Sequence, residues 1–233
     1  MDALGSGIPS RILRAGCACM KPHVRTSKTT AQSTTPVALG FRAHSGWAAA
    51  VTVAASGDGI EVIDRRRIDL ADSSIQGSVQ PYHAAEGMEL KAAERFISGC
   101  IKSTRDLALR GLKDLIDEMH CGGYRISGCG ILLAAGKPLP ALSSILASHA
   151  LIHTAEGELY RAAIIHTSDR LKIPTTAIKE RELFEEGAMR LRMTPDALQN
   201  LTNDIGRAIG PPWRQDQKYA AIVAWLALKA PSG

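Results

Sequence analysis

The chain has 233 residues, 45% of them hydrophobic, which is enough for one domain of up to about 200 residues plus a tail. No stretch approaches the ~18 consecutive apolar residues of a membrane-spanning helix, so a soluble protein without a membrane partner is predicted. The formal net charge is +5, but residues 1–36 carry five Lys or Arg and one Asp, and the remainder is nearly neutral. The composition therefore gives no overall electrostatic case for nucleic-acid binding, and only a local basic patch could supply one.

The N-terminal segment predicts where the folded domain begins, and the cysteines predict the cellular compartment. Residues 1–36 are rich in Ser, Thr, Gly and Arg and lack apolar periodicity, so we predict a disordered basic tail. A single α/β domain is predicted to occupy residues 37–233. Five cysteines without disulfide spacing favour reduced thiols and a cytoplasmic location, with Cys100 and Cys129 as small buried side chains.

The domain opens with two β-rich runs, Gly40–Val53 and Ile60–Leu70. The intervening Ser56-Gly57-Asp58-Gly59 predicts a tight hairpin, because glycines supply the positive φ that such turns require. A polar loop and a short helix start at Pro81 follow. A stripe of apolar residues at helical spacing then predicts a long helix over 90–119.

The second half alternates helices with two further strands. Apolar runs predict strands, and helical periodicity with Pro and Gly breaks predicts helices. These segments are a strand Tyr124–Ala135, one or two helices in Ala141–Lys172, a strand Thr175–Ile178, a helix Glu180–Met189, a helix starting at Thr194-Pro195 and a last helix after Pro211-Pro212. The order β-β-α-β-α-β-α-α-α predicts a mixed sheet, with an N-terminal hairpin and parallel strands, flanked by helices.

Local patterns within this order point to a known family. Gly40-Phe41-Arg42 followed by Gly46-Trp47-Ala48 is similar to a first strand that usually reads Gly-hydrophobic-Asp and then Gly-aromatic-Ala. Ser168–Leu183 is similar to that family's helix, strand and charged follow-on, and Asp216 to the acid on its closing helix. Over residues 37–229 the chain resembles the ribonuclease H-like fold, specifically the bacterial RuvC type of Holliday-junction resolvase.

The resemblance implies a nucleic-acid partner and also a missing catalytic centre. Nucleases of this type hold two divalent cations with clustered carboxylates, which stabilise the attacking and leaving oxygens. In this chain the first-strand carboxylate position holds Arg42, and the position at the end of the buried strand falls near Ala134 or Ala135. Only Asp216 matches the pattern, so the resemblance implies a protein that is not a standard two-metal nuclease.

A second set of residues could carry chemistry of its own. His149, His153, Glu156 and Tyr160 are spaced by 4, 3 and 4 residues and lie on one helix face. His149, His153 and Glu156 are candidate ligands for a divalent metal, the one cofactor the pattern suggests. A polar structural stripe and a metal-free substrate site remain alternatives.

General acid–base catalysis is a second kind of chemistry that the histidines and Glu156 could support. His44 follows the first strand, and His83 lies at a helix start. If they converge with His153 and Glu156, the four side chains would form a candidate catalytic site that operates near neutral pH.

Five cations are candidate nucleic-acid or phosphate ligands. Arg42, Arg65 and Arg67 lie on predicted strands, whereas Arg214 and Lys218 lie at the start of the last helix, where the helix dipole favours anions. The leading hypothesis is a nucleic-acid- or nucleotide-binding protein with a degenerate ribonuclease H-like fold. The alternatives are an enzyme built on the His/Glu cluster and a structural protein that forms homo-oligomers.

Overall fold

A computed structural model describes residues 34–134 and 138–230 of the chain. The predicted N-terminal tail and Ala135 lie outside the described residues. Five strands form one sheet: β1 Thr35–His44, β2 Trp47–Ser56, β3 Gly59–Asp69, β4 Tyr124–Leu133 and β5 Thr175–Lys179. Within the described ranges seven helices accompany them: α1 Pro81–Ala84, α2 Leu90–Cys121, α3 Leu142–Leu146, α4 His149–Arg170, α5 Leu183–Leu191, α6 Pro195–Ile209 and α7 Gln215–Lys229, with a 3-10 turn at Glu180–Glu182.

The first β-rich run is two strands rather than one, which corrects the predicted order. β1 and β2 pair antiparallel from Val37 opposite Ala54 to His44 opposite Trp47, and Gly46 makes the turn with a φ of +83°. Only glycine adopts that φ without strain, so the chain can reverse inside the first predicted β-rich run. β1 also starts at Thr35, two residues before the predicted domain boundary.

The strands lie in the order β3-β2-β1-β4-β5. β2 is antiparallel to both neighbours, whereas β1, β4 and β5 run parallel, so β1, β3, β4 and β5 end at one edge of the sheet. We call this the carboxyl edge. The predicted α/β fold class, a mixed sheet with an N-terminal hairpin and parallel strands flanked by helices, is confirmed.

Helices cover both faces of the sheet. One core joins α2 and α4 to side chains such as Leu39, Phe41 and Ile131. The other joins α5, α6 and α7 to Val51, Val53 and other residues of the opposite face. No helix among the described residues is both long enough and apolar enough to cross a membrane.

Helix α7 lies directly on the backbone of the sheet because glycines make room for it. A Cβ atom on Gly40 would lie 1.9 Å from the carbonyl oxygen of Ala220, and one on Gly130 would lie 2.1 Å from that of Val223. These contacts fix α7 across β1 and β4, with its N-terminus at the carboxyl edge.

Candidate functional site

A cluster of charged side chains occupies the carboxyl edge on the α7 face. Arg42 donates from Nη2 to Glu180 Oε1 at 2.7 Å and from Nε to Glu180 Oε2 at 3.0 Å, and its Nη1 donates to Asp216 Oδ1. His44 Nε2 lies 2.8 Å from the same Asp216 oxygen. We call Arg42, Glu180 and Asp216 the ion-pair cluster, with His44 at its rim.

The fold explains why these residues meet. Arg42 and His44 are two apart on β1 and therefore share the α7 face of the sheet. Glu180 directly follows β5, and Asp216 lies in the first turn of α7. Because β4 separates β1 from β5, their backbones are about 10 Å apart. A side chain as long as arginine can bridge that gap.

The cluster is partly shielded and its charges are compensated. The side chain of Arg42 is 16% exposed and that of Asp216 is 24% exposed. Burial alone would raise the pKa of Asp216, but the hydrogen bonds from Arg42 and His44 outweigh it and lower that pKa below its ordinary value. Arg42 also lies 5.4 Å from the centre of the Tyr219 ring, within cation–π range.

Arg42 supplies the cation that neutralises the two carboxylates of the ion-pair cluster. Divalent cations hold carboxylates together because they neutralise them. Here the guanidinium of Arg42 does so for Glu180 and Asp216. Ala134, just after β4, offers no carboxylate. Sequence reasoning did not assign a role to Glu180, and the signal available was its position directly after a strand of the parallel set.

Three imidazoles form a second group on the α2 and α4 face. One ring nitrogen from each of His83, His149 and His153 lies within 4.8 Å of the others, and we call these residues the histidine cluster. Nε2 of His149 and Nε2 of His153 are 3.0 Å apart. His83 belongs to α1, whereas His149 and His153 are one turn apart at the start of α4.

Glu156 contacts the histidine cluster from its buried side, through His83. It is 2% exposed, and its Oε1 accepts hydrogen bonds from the backbone N–H groups of Tyr82 at 2.8 Å and His83 at 3.0 Å. The same oxygen lies 3.3 Å from Nδ1 of His83. Burial raises the pKa of Glu156, although these hydrogen bonds act in the opposite direction.

The predicted catalytic residues separate into two groups. His83, His153 and Glu156 come together, and His149 joins them. His44 instead contacts Asp216 and stacks on Trp47, with 4.4 Å between ring centres. The physical reason is strand alternation: it places His44 on the α7 face, whereas Glu156 belongs to α4 on the other face.

The predicted phosphate ligands on β3 have internal partners. The guanidinium of Arg65 donates to the carbonyl oxygens of Ile209, Gly210, Pro211 and Pro212, at 2.6 to 3.1 Å. These bonds satisfy carbonyls at the C-terminus of α6, where a cation is favoured.

Arg67 is similarly engaged at the end of β3. It pairs with Asp69 and lies over the Trp47 ring. A phosphate-binding role for Arg65 and Arg67 stays a prediction, and neither belongs to the interface proposed below.

A cleft of about 610 Å³ lies between the end of α6 and the start of α7, and Asp216 lines it. Its wall includes Trp213, whose Nε1 donates to the carbonyl of Thr202 at 2.7 Å. The cations Arg207, Arg214 and Lys218 line the same cleft. Among the described residues Arg214 and Lys218 form no ion pair, so their charges are available to an anion.

Comparisons with known proteins find a likeness in structure alone. No family model and no curated protein matches the chain. The structure of T. thermophilus RuvC in complex with a Holliday junction substrate superposes with a TM-score of 0.48 at 10% identity, covering 83% of this chain and 91% of that chain. A second Thermus thermophilus RuvC structure gives a TM-score of 0.46 at 8% identity, covering 83% and 92%. The resemblance to RuvC is confirmed as a distant likeness of fold.

Proposed function

We propose that the protein binds nucleic acid at its carboxyl edge and does not cleave it. The observation that carries the proposal is the cleft beside the ion-pair cluster, where an aromatic residue and unpaired cations line one surface. Grooves that combine basic side chains with an aromatic ring are typical of single-stranded nucleic-acid sites.

The charges at this edge support binding rather than catalysis. Arg42 replaces a negative charge by a positive one and already neutralises Glu180 and Asp216. The N-terminus of α7, a helix of 15 residues, adds the positive end of its dipole to the cleft. Phosphates would therefore meet a more positive surface than a carboxylate cluster provides.

Arg214 and Lys218 are the residues proposed to contact phosphate. Arg214 is exposed at the N-cap of α7, and Lys218 is held by a neutral partner, with its Nζ 2.6 Å from Asn203 Oδ1. A neutral partner leaves the ammonium charge uncompensated. Arg207 pairs with Asp204, so it contributes less.

Fluorescence anisotropy with labelled single-stranded, duplex and four-way-junction DNA tests the proposal. We expect binding that weakens as salt rises, because phosphate contacts release counterions. Arg214→Ala and Lys218→Ala should each weaken binding and lower the slope of log Kd against log salt by about one.

The matched control is Lys113→Ala, an exposed cation of α2 on the other face of the sheet. It should bind like the wild type. Equal weakening by all three substitutions, or no binding of any DNA at low salt, would refute the proposal. Binding of free nucleotides but not of DNA would replace it with a nucleotide site.

A further inference from the structure

We propose that His83, His149 and His153 bind one divalent transition-metal ion, Zn²⁺ above all, and that Glu156 supports the site. The histidine cluster lies on the α2 and α4 side of the sheet, whereas the ion-pair cluster lies on the α7 side. The proposal is therefore independent of nucleic-acid binding, and either can fail alone. Among the described residues this is the one group of three or more side chains of metal-ligating type with this proximity.

The ring nitrogens are already close to the spacing that a metal requires. Tetrahedral zinc with Zn–N bonds of 2.0–2.1 Å places its ligand nitrogens about 3.3 Å apart. The Nε2 atoms of His149 and His153 are 3.0 Å apart, and the third ring contributes a nitrogen within 4.8 Å of both. His149 and His153 are exposed, so small side-chain rotations can close the remaining gap.

Glu156 provides a second, independent observation. Its Oε1 lies beside Nδ1 of His83, which orients that ring and leaves Nε2 for a metal. Metal-binding histidines commonly donate their other N–H to a carboxylate in this way. The remaining oxygen of Glu156, Oε2, is buried and has no hydrogen-bond partner among the described residues. Burial of an under-satisfied carboxylate is costly, and a cation held by His83 would offset that cost.

The ligand set selects the metal. Imidazole nitrogens favour Zn²⁺ and similar transition metals, whereas Mg²⁺ and Ca²⁺ prefer oxygen ligands. Three histidines also leave the fourth tetrahedral position to water or to an added ligand. The site should therefore ignore Mg²⁺, the type of cation that carboxylate clusters hold.

Titration of the full-length chain, purified without a polyhistidine tag and stripped of metal, tests the proposal. Zn²⁺ is added in competition with a chromophoric chelator. We expect one equivalent per chain, no competition from millimolar Mg²⁺, and a Co²⁺ spectrum with the visible bands of four-coordinate geometry. His149→Ala and His153→Ala should each lower affinity by roughly 10-fold or more, and Glu156→Gln by roughly 10- to 100-fold.

Two controls separate this site from others on the chain. His166→Ala removes an exposed histidine of the same helix, and Cys17→Ser with Cys19→Ser removes thiols that lie outside the described residues. Both should leave the Zn²⁺ affinity unchanged. The proposal is overturned if the histidine variants, shown to be folded by circular dichroism, bind like the wild type, or if the cysteine variant loses binding.

Discussion

At the scale of single residues, Arg42 determines the charge balance at the carboxyl edge. An aspartate at this place in β1 would add to the negative charge of Glu180 and Asp216 and would need metal cations to neutralise it. Arginine carries the neutralising charge itself, and its planar fork bonds both carboxylates at once. Arg42 therefore joins Glu180 and Asp216 in a self-contained ion-pair cluster.

Replacing Arg42 by alanine should destabilise the protein by about 2 kcal/mol, because it leaves two partly shielded carboxylates without their hydrogen-bonded cation. Urea unfolding at neutral pH measures the change. The matched control is Arg207→Ala, which breaks an exposed ion pair with Asp204 and should cost less than about 0.5 kcal/mol. Equal losses would mean that Arg42 is no more than a surface charge.

The lowered pKa of Asp216 predicts a pH dependence with a definite sign. A depressed folded-state pKa stabilises the protein above the ordinary value of 3.8, and that contribution is lost as pH falls through the lower folded value. Asp216→Asn should therefore be less stable than the wild type at pH 7, and the gap should narrow below pH 3.8. The difference is measured by the free energies of unfolding of the wild type and Asp216→Asn between pH 7 and pH 3. A gap that stays constant would contradict the assignment.

At the scale of elements, α7 holds the carboxyl edge together. The glycines of β1 and β4 let the helix backbone touch the sheet, and this close contact brings Asp216 to Arg42. The cleft proposed to bind nucleic acid starts at the same helix terminus. The packing of α7 therefore positions both the ion-pair cluster and the proposed interface.

Gly40→Ala should destabilise the protein by about 3 kcal/mol, because the new methyl group would overlap the carbonyl of Ala220. Gly99→Ala is the matched control: Gly99 lies on α2, and in the part of the chain that the structure describes no atom lies within 4 Å of its added Cβ. It should stabilise the protein by roughly 0.5–1 kcal/mol through helix propensity. Thermal unfolding of both variants provides the comparison, and a tolerated Gly40→Ala would show that α7 is loosely packed.

Local sequence signals predicted most of the elements. Thr194 caps α6 as expected, accepting from the N–H of Ala197, and the break within Ala141–Lys172 separates α3 from α4. The turn at Gly46 is not predicted because Gly40–Val53 is interpreted as one β-rich run. A single glycine with positive φ carries that signal.

Local sequence patterns predict only part of the candidate site. The spacing of His149, His153 and Glu156 predicts that they share one helix face, because all three belong to the same helix. The pairing of Arg42 with Glu180 joins residues 138 positions apart and depends on strand order, which local patterns do not encode. The separation of His44 from the histidine cluster follows from which face of the sheet each helix covers.

At the scale of the whole molecule, the two proposed sites lie on opposite faces of the sheet. Ligands of open α/β sheets commonly bind at the carboxyl ends of the strands. The α7 face carries cations and an aromatic ring, and the α4 face carries three imidazoles. Nucleic-acid binding and Zn²⁺ binding should therefore be separable by mutation.

Removal of residues 1–33 tests the limits of the domain. Because their composition offers little apolar surface to bury, we expect the shortened chain to melt within about 2 °C of the full chain. A chain starting at Val37 should melt lower, since it also loses Thr35 and Pro36, which pair with β4. A large drop on removing residues 1–33 alone would mean that the segment stabilises the domain.

The central claim is that this edge binds nucleic acid without cleaving it, and a combined binding and cleavage assay tests it most directly. Labelled junction and single-stranded DNA are incubated with excess protein and Mg²⁺ or Mn²⁺, and the products are resolved on native and denaturing gels. We predict a shifted band on the native gel and full-length strands on the denaturing gel. Metal-dependent cleavage that Asp216→Asn abolishes would contradict the account.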